Sequence, residues 1–426
     1  LKLIELIETK HVPHSIPIKR MPDGDESRRN DDIGITHVHH FYTYRTLSFL
    51  ASISHKISIT KDSRIQRILQ LWFTSQLVNV SILNRYRPNV SFPYNPLSGT
   101  LYISSQVSEA SPNTAYNNRI KRLKKAMVDV WQFKSTNRLV QTSSSSNLTS
   151  FPEQFVDYIF VDPPFGGNLM YSELSFIWEA WLNLLTNNKT EAIVNKVQHK
   201  GLPEYTALME ACFREFYRVL KPGRWMTVEF HNSKNAVWNG IQEALLRAGF
   251  MVADVRTLDK GQGTFKQVAT TAAVKQDLII SAYKPTETFE HQFRLQAGST
   301  EGAWAFVRQH LVQLPVIVRT EGLLEPISER QAYLLFDRMV AFHIQRGFTV
   351  PLSAAEFYAG LLERFPERDG MYFLPDQAPE YDRARLESDG VAQLSLFVND
   401  EKSAIQWMRQ QLDPKQAGTP QTYQEI

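Results

Sequence analysis

Asp157-Tyr158-Ile159-Phe160-Val161-Asp162-Pro163-Pro164-Phe165-Gly166 decides how this chain is read. Tyr158 to Val161 form a short, unbroken run of apolar, β-favouring residues, which predicts a buried strand of a parallel sheet. Pro163 and Pro164 have no backbone N–H and cannot extend a hydrogen-bond ladder, so the strand stops at Asp162. In an open α/β sheet, ligands bind just beyond the carboxyl ends of the strands. Asp162 and Phe165 are therefore delivered to the position where chemistry takes place. On these four residues alone, a plain Asp-Pro turn with a packed Phe reads equally well.

The sequence downstream narrows the choice. Gly166-Gly167-Asn168 predicts a loop, and Tyr171 to Leu185 a Trp-rich helix. Pro203 opens an amphipathic helix whose Tyr205, Leu208, Met209, Cys212, Phe213, Phe216, Tyr217 and Leu220 recur at helical spacing. Arg218 and then Pro222-Gly223 close it. Strands are expected over 225–230, 250–257 and 277–283, with a helix over 235–248.

With this order in view, Asp162-Pro163-Pro164-Phe165 resembles motif IV of the amino methyltransferases. "RVLKPGRWMTVEF", "RAGF" and "QDLIISAYKP" resemble the later elements of the same fold. The resemblance runs over 31–285 and is nearest to large bacterial adenine-specific DNA methylases. It implies a class I, Rossmann-like α/β domain that transfers a methyl group from S-adenosyl-L-methionine to the N6 amine of a flipped adenine in DNA. Asp162 would accept one amine N–H and the Pro163 carbonyl the other. Pro164 would help stiffen the loop, and Phe165 would stack on the base, which must first leave its helix. "THVHHFYTYRTLSFLASI" resembles motif X, implying Phe41 and Thr43 beside the cofactor. Thr43 also reads simply as a helix N-cap and Phe41 as core. Methylation of RNA bases is the alternative within the class. A binding or assembly subunit that keeps the fold without catalysis is the alternative outside it.

One expected part does not stand where the resemblance requires it. The Gly-rich cofactor loop is absent from its place, and Gly261-Gln262-Gly263 is the lone Gly-x-Gly, expected to be a hairpin loop. Because the sequence opens on Leu1, the expectation is that the first strand and its loop lie upstream. A divergent or inactive homologue is the other explanation.

Composition bounds the rest. A length of 426 residues suggests two or three domains. A balance of 43% hydrophobic to 21% charged residues is that of a globular protein. The one cysteine, Cys212, excludes an intramolecular disulfide and fits a reducing, cytoplasmic setting. A net charge of +3 neither demands nor excludes nucleic acid. The local run Arg119, Lys121, Arg122, Lys124, Lys125 on a helix ending near Phe133 is the expected phosphate contact, with a solvated helix face as the alternative. His37, His39 and His40 lack cysteine or acid at ligand spacing, so no metal is expected.

The organisation expected is a loop or remnant over 1–30, a catalytic domain over 31–285, and an accessory helical domain over 286–426. Residues 61–140 would be an insertion and a candidate recognition region. The accessory domain would contact DNA or a partner protein. Ser328-x-x-Gln331 and Ser353-x-x-Glu356 both fit capping boxes there.

Overall fold

The computed structural model describes residues 12, 14–88, 96–131, 137–231, 235–258, 277–320 and 323–388. The expected Gly261–Gly263 loop and the helix expected over 403–412 lie outside them. The chain divides into two compact units, one of residues 1–142 and 166–208, the other of residues 143–165 and 209–426.

The second unit holds a four-stranded mixed sheet in the order β1-β2-β4-β3. Its strands are β1 (Val156–Val161), β2 (Leu220–Phe230), β3 (Met251–Leu258) and β4 (Asp277–Tyr283). β1 and β2 are parallel, while β4 runs antiparallel to both β2 and β3. Three strands thus deliver their carboxyl ends to one side, and β4 begins there. β2 starts earlier than its apolar run suggests. Leu220 already pairs with Val156, and the register then shifts before Trp225 pairs with Tyr158. The shift passes through Pro222-Gly223, where Gly223 takes a φ of +72°, a conformation that favours glycine.

Alternation along β2 builds the core. Met226, Val228 and Phe230 are fully buried on one face. Beside β3 and β4, a second apolar layer packs Met251, Ala253 and Tyr283 with Phe289, Phe293, Trp304, Phe306, Phe342 and Phe357. The latter six come from helices Glu287–Gln296, Thr300–Gln313, Ala332–Gln345 and Ala354–Arg364. Burial of each such ring is worth about 2–3 kcal/mol.

Two buried polar devices tie this layer. Arg330 is fully buried and donates to the carbonyls of Leu311, Leu314, Pro315 and Tyr372 and to Gln377 Oε1. Glu329 and Arg338 form a buried ion pair at 2.6 Å. The capping box at Ser353 and Glu356 forms as its spacing predicts. The one expected at Ser328 and Gln331 does not. Ser328–Arg330 is a 3-10 turn, and Gln331 itself caps the next helix without a side-chain bond. The buried bonds of Glu329 and Arg330 set the backbone there in place of a capping box.

The helix Leu202–Val219 runs directly into β2. Arg218, near its end, donates to the Leu148 and Phe151 carbonyls and pairs with Glu215. Glu215 in turn accepts from Leu148 N–H. The segment that leads into β1 is thereby clamped. Asp157, at the amino end of β1, pairs with Lys221 at 2.8 Å, and that ammonium holds its carboxyl below the usual range.

The first unit is helical. Helices Tyr44–Ser58, Ser63–Thr74, Pro112–Trp131 and Tyr171–Leu182 contribute to a core of Val38, Phe41, Leu47, Leu50, Phe73, Leu77, Tyr116, Ile177 and Trp181. Three of its amphipathic rings bond their polar atoms to the backbone: Trp72 donates to Tyr116 O, Tyr116 to Phe73 O and Trp178 to Thr74 O. No helix among the described residues is long and apolar enough to cross a membrane.

Candidate active site

The site in the second unit starts from β1. Contrary to the expectation of a buried strand, β1 is the sheet's outer strand, and Tyr158 and Phe160 are 54% and 58% exposed. Among the described residues no strand pairs with its outer edge. An unbroken apolar run cannot tell a strand covered on both faces from one with an open face. Tyr158 is not idle, since its hydroxyl donates to Thr227 Oγ1 across the sheet at 2.7 Å.

Where β1 ends, Asp162 stands exposed, Pro163 is buried, and Pro164 and Phe165 are half-buried. The four residues therefore form one segment at the carboxyl end of a parallel strand. The Phe165 ring is held edge-on by Phe230, the last residue of β2, with centroids 5.5 Å apart and planes at 87°. The His231 ring is also near it, 6.1 Å away and tilted by 58°. His231 follows β2 by one residue, opposite Asp277, the first residue of β4. His231 Nδ1 lies 2.6 Å from Asp277 Oδ1, and the Asp277 side chain is only 4% exposed.

Neither His231 nor Asp277 was singled out by sequence. The signal was available, because the strand-end rule that selects Asp162 after β1 also selects His231 after β2. The other end of the sheet carries different groups. A cavity of about 490 Å³ there is lined by Tyr217, Arg247, Lys284, Glu287, Glu290 and Arg346, among others. The buried Lys284 is held below its ordinary range by burial and donates to the Tyr217 and Leu220 carbonyls.

The cofactor candidates belong to the first unit. Phe41 closes a 3-10 turn, has no exposed surface and accepts from Ile82 N–H through its carbonyl. Thr43 caps helix Tyr44–Ser58, accepting from Thr46 N–H, and donates to Glu109 Oε1 at 2.7 Å. Glu109 also pairs with Arg45. As arranged, the Phe41 ring is buried within the unit and the Thr43 hydroxyl is bonded to its own helix and to Glu109.

All five basic residues Arg119, Lys121, Arg122, Lys124 and Lys125 are exposed, and none makes an ion pair among the described residues. His37, His39 and His40 pack ring on ring, with centroids 4.4–5.6 Å apart. Burial and then the neighbouring His40 and His37 lower the His39 pKa. No group of three or more His, Cys, Asp or Glu among the described residues is set to hold a metal.

Glu173, on the helix Tyr171–Leu182, is fully buried. It accepts from Ser27 N–H at 2.6 Å and lies 3.5 Å from the Asn195 amide. A side chain on Gly24 would meet the Glu173 carboxyl at 2.1 Å, so the carboxylate and that glycine require each other. Burial raises the Glu173 pKa, opposed by the Ser27 hydrogen bond. Cys212, half-buried, has its thiol pushed up to about 11 by burial, which makes it a poor nucleophile.

No family model and no curated protein matches the chain. Among solved structures it is similar to a candidate DNA modification methylase of Thermus thermophilus, complexed with S-adenosyl-L-methionine. Identity is 14%, over 58% of this chain and 94% of that one, with a TM-score of 0.20. It is also similar to the cyclase SpnF at 13% identity, over 39% of this chain and 63% of that one, with a TM-score of 0.22. The chain thus spans just under two thirds of the cyclase. Overlaps this loose carry no argument about fold or chemistry.

Proposed function

We propose that the chain carries the acceptor side of an S-adenosyl-L-methionine-dependent methyltransferase acting on the N6 amine of adenine in DNA. One observation carries the reading: an exposed carboxylate, a Pro-Pro pair and an edge-braced phenyl ring stand together at the carboxyl end of an outer parallel strand. The exocyclic amine of adenine is conjugated with its ring and is a poor nucleophile. The Asp162 carboxylate accepts one of its N–H bonds and the Pro163 carbonyl the other, which frees the nitrogen lone pair. Pro163 and Pro164 keep that turn stiff, and Phe165 offers a face to a base taken out of its stack. When bound, S-adenosyl-L-methionine supplies an electrophilic methyl group on its sulfonium. Phe41 and Thr43 would line its site.

The exposed basic helix, without ion pairs among the described residues, supports phosphate binding by Arg119, Lys121, Arg122, Lys124 and Lys125, which weakens as salt rises. Residues 286–426 would then serve as the accessory region toward DNA or a partner protein. The same acceptor geometry suits an unstacked base in RNA, so the test includes both. Protein from the whole open reading frame is given labelled S-adenosyl-L-methionine with unmethylated DNA or RNA, and product nucleosides are identified by mass. N6-methyladenine from DNA is the expected product. Methylguanine from RNA would move the substrate to the RNA class, and no product from either would remove the enzyme reading.

A further inference from the structure

The helix Pro112–Trp131 begins in the core of the first unit and ends outside it. Ala115 and Tyr116 are buried, and Tyr116 donates to Phe73 O while its carbonyl accepts from Trp72. Ile120 and Leu123 are half-buried, and every residue from Lys124 to Val130 is exposed. That end is poorly equipped to stand alone. Val128 and Val130 are weak helix formers. Arg119 with Arg122, Arg122 with Lys125, and Lys121 with Lys124 and Lys125 repeat like charge at i,i+3 or i,i+4, which weakens an isolated helix. Helices gain most of their stability by packing an amphipathic face.

The exposed end has such a face. Ile120, Leu123, Met127 and Val130 recur at the a and d spacing of a coiled-coil seam. Met127 is 37% and Val130 63% exposed. At about 100° per residue the four fall within a sector of about 80°. Arg119 and Lys124 border that sector on its two sides, at g and e positions, and Lys121, Arg122 and Lys125 lie around the rest of the helix. The charges select the occupant. A second copy of the helix would set Arg119 and Lys124 against the same cations. A phosphate backbone would answer the cations and leave the seam in water. A helix with its own apolar seam and acidic flanks covers the seam and neutralises both borders.

We propose that residues 119–130 are a docking face for an acidic amphipathic helix of a partner protein. The proposal is independent of the methyltransferase reading, and it leaves Lys121, Arg122 and Lys125 to phosphate. The probe is a designed three-heptad peptide with Leu at a and d and Glu at e and g, titrated against the full chain by fluorescence anisotropy. Two control peptides carry Ser in place of Leu, or Lys in place of Glu. Expected is saturable binding of the Leu/Glu peptide, at least about tenfold tighter than either control. Met127→Ser together with Val130→Ser should weaken it by at least about tenfold and leave affinity for duplex DNA unchanged. Arg119→Glu together with Lys124→Glu should lose the Glu peptide and accept the Lys peptide, an exchange that an unfolded variant could not make.

Failure of the Leu/Glu peptide to bind would overturn the proposal. So would equal binding of the Leu and Ser peptides, which would show attraction by charge alone. Binding that survives Met127→Ser with Val130→Ser would put the peptide elsewhere, with the same consequence. Loss of DNA affinity in that double variant, with no peptide bound by wild type, would make the face a nucleic-acid contact instead.

Discussion

The two outer strands of one sheet have opposite environments. On β3, Met251, Val252 and Ala253 are buried to 1% exposure or less. Met251 and Ala253 join the aromatic layer formed by the helices after residue 285. On β1, Tyr158 and Phe160 are more than half exposed, and the strand tip carries Asp162. An exposed apolar edge invites pairing with other chains and is normally blunted or covered. The difference separates two duties. The β3 side holds the sheet together, and the β1 side keeps its carboxyl end accessible, with its shape set by the clamp of Arg218 and Glu215 on the segment before it.

Substitutions should divide along the same line. The largest effect on stability belongs to the β3 side. Phe342→Ala, which removes a fully buried ring touching Phe289, Phe293 and Phe306, should cost about 3–5 kcal/mol in denaturant unfolding. Arg330→Leu should cost about 3 kcal/mol or more, because several buried carbonyls lose their donor together. A loss under about 1 kcal/mol for either variant would mean that this layer is not what holds β3.

On the β1 side the expected shift is small. Phe160→Ser should change unfolding free energy by no more than about 0.5 kcal/mol and should reduce concentration-dependent association, read by light scattering. Strong destabilisation would show that the outer face of β1 is covered in solution.

The first unit offers a test by pH. Burial raises the Glu173 pKa above its unfolded value, so the native state binds the proton more tightly. The stability this contributes is fully present below the unfolded carboxyl pKa of about 4.3 and is lost as pH rises through the raised value. Unfolding of wild type should therefore show that loss, and Glu173→Gln should flatten it. An unchanged pH profile in Glu173→Gln would remove the buried carboxylate from the account.

Much of the sheet could be read from sequence because its signals are local. Asp277–Tyr283 matches its expected bounds, and Asp162-Pro163-Pro164 ends β1 where prolines must. What could not be read depends on neighbours distant in sequence. Tyr158 and Phe160 look like core because nothing in the run tells which strands flank it. Glu173 sits on a helix where a carboxylate normally faces water, and only the approach of Gly24 and Ser27 accounts for its burial. Ser328 carries a capping spacing that the buried bonds of Glu329 and Arg330 override. His231 and Asp277 lie 46 positions apart and meet only because β4 inserts beside β2.

The central claim is that the tip of β1 performs methyl transfer, and Asp162→Ala tests it most directly. Initial rates of label transfer from S-adenosyl-L-methionine to unmethylated DNA are compared between wild type and variant, with thermal unfolding of both as the control. Asp162 is exposed, so the variant should unfold within a few degrees of wild type, and its rate should fall at least about a hundredfold. A folded Asp162→Ala protein that methylates DNA at the wild-type rate would contradict the account.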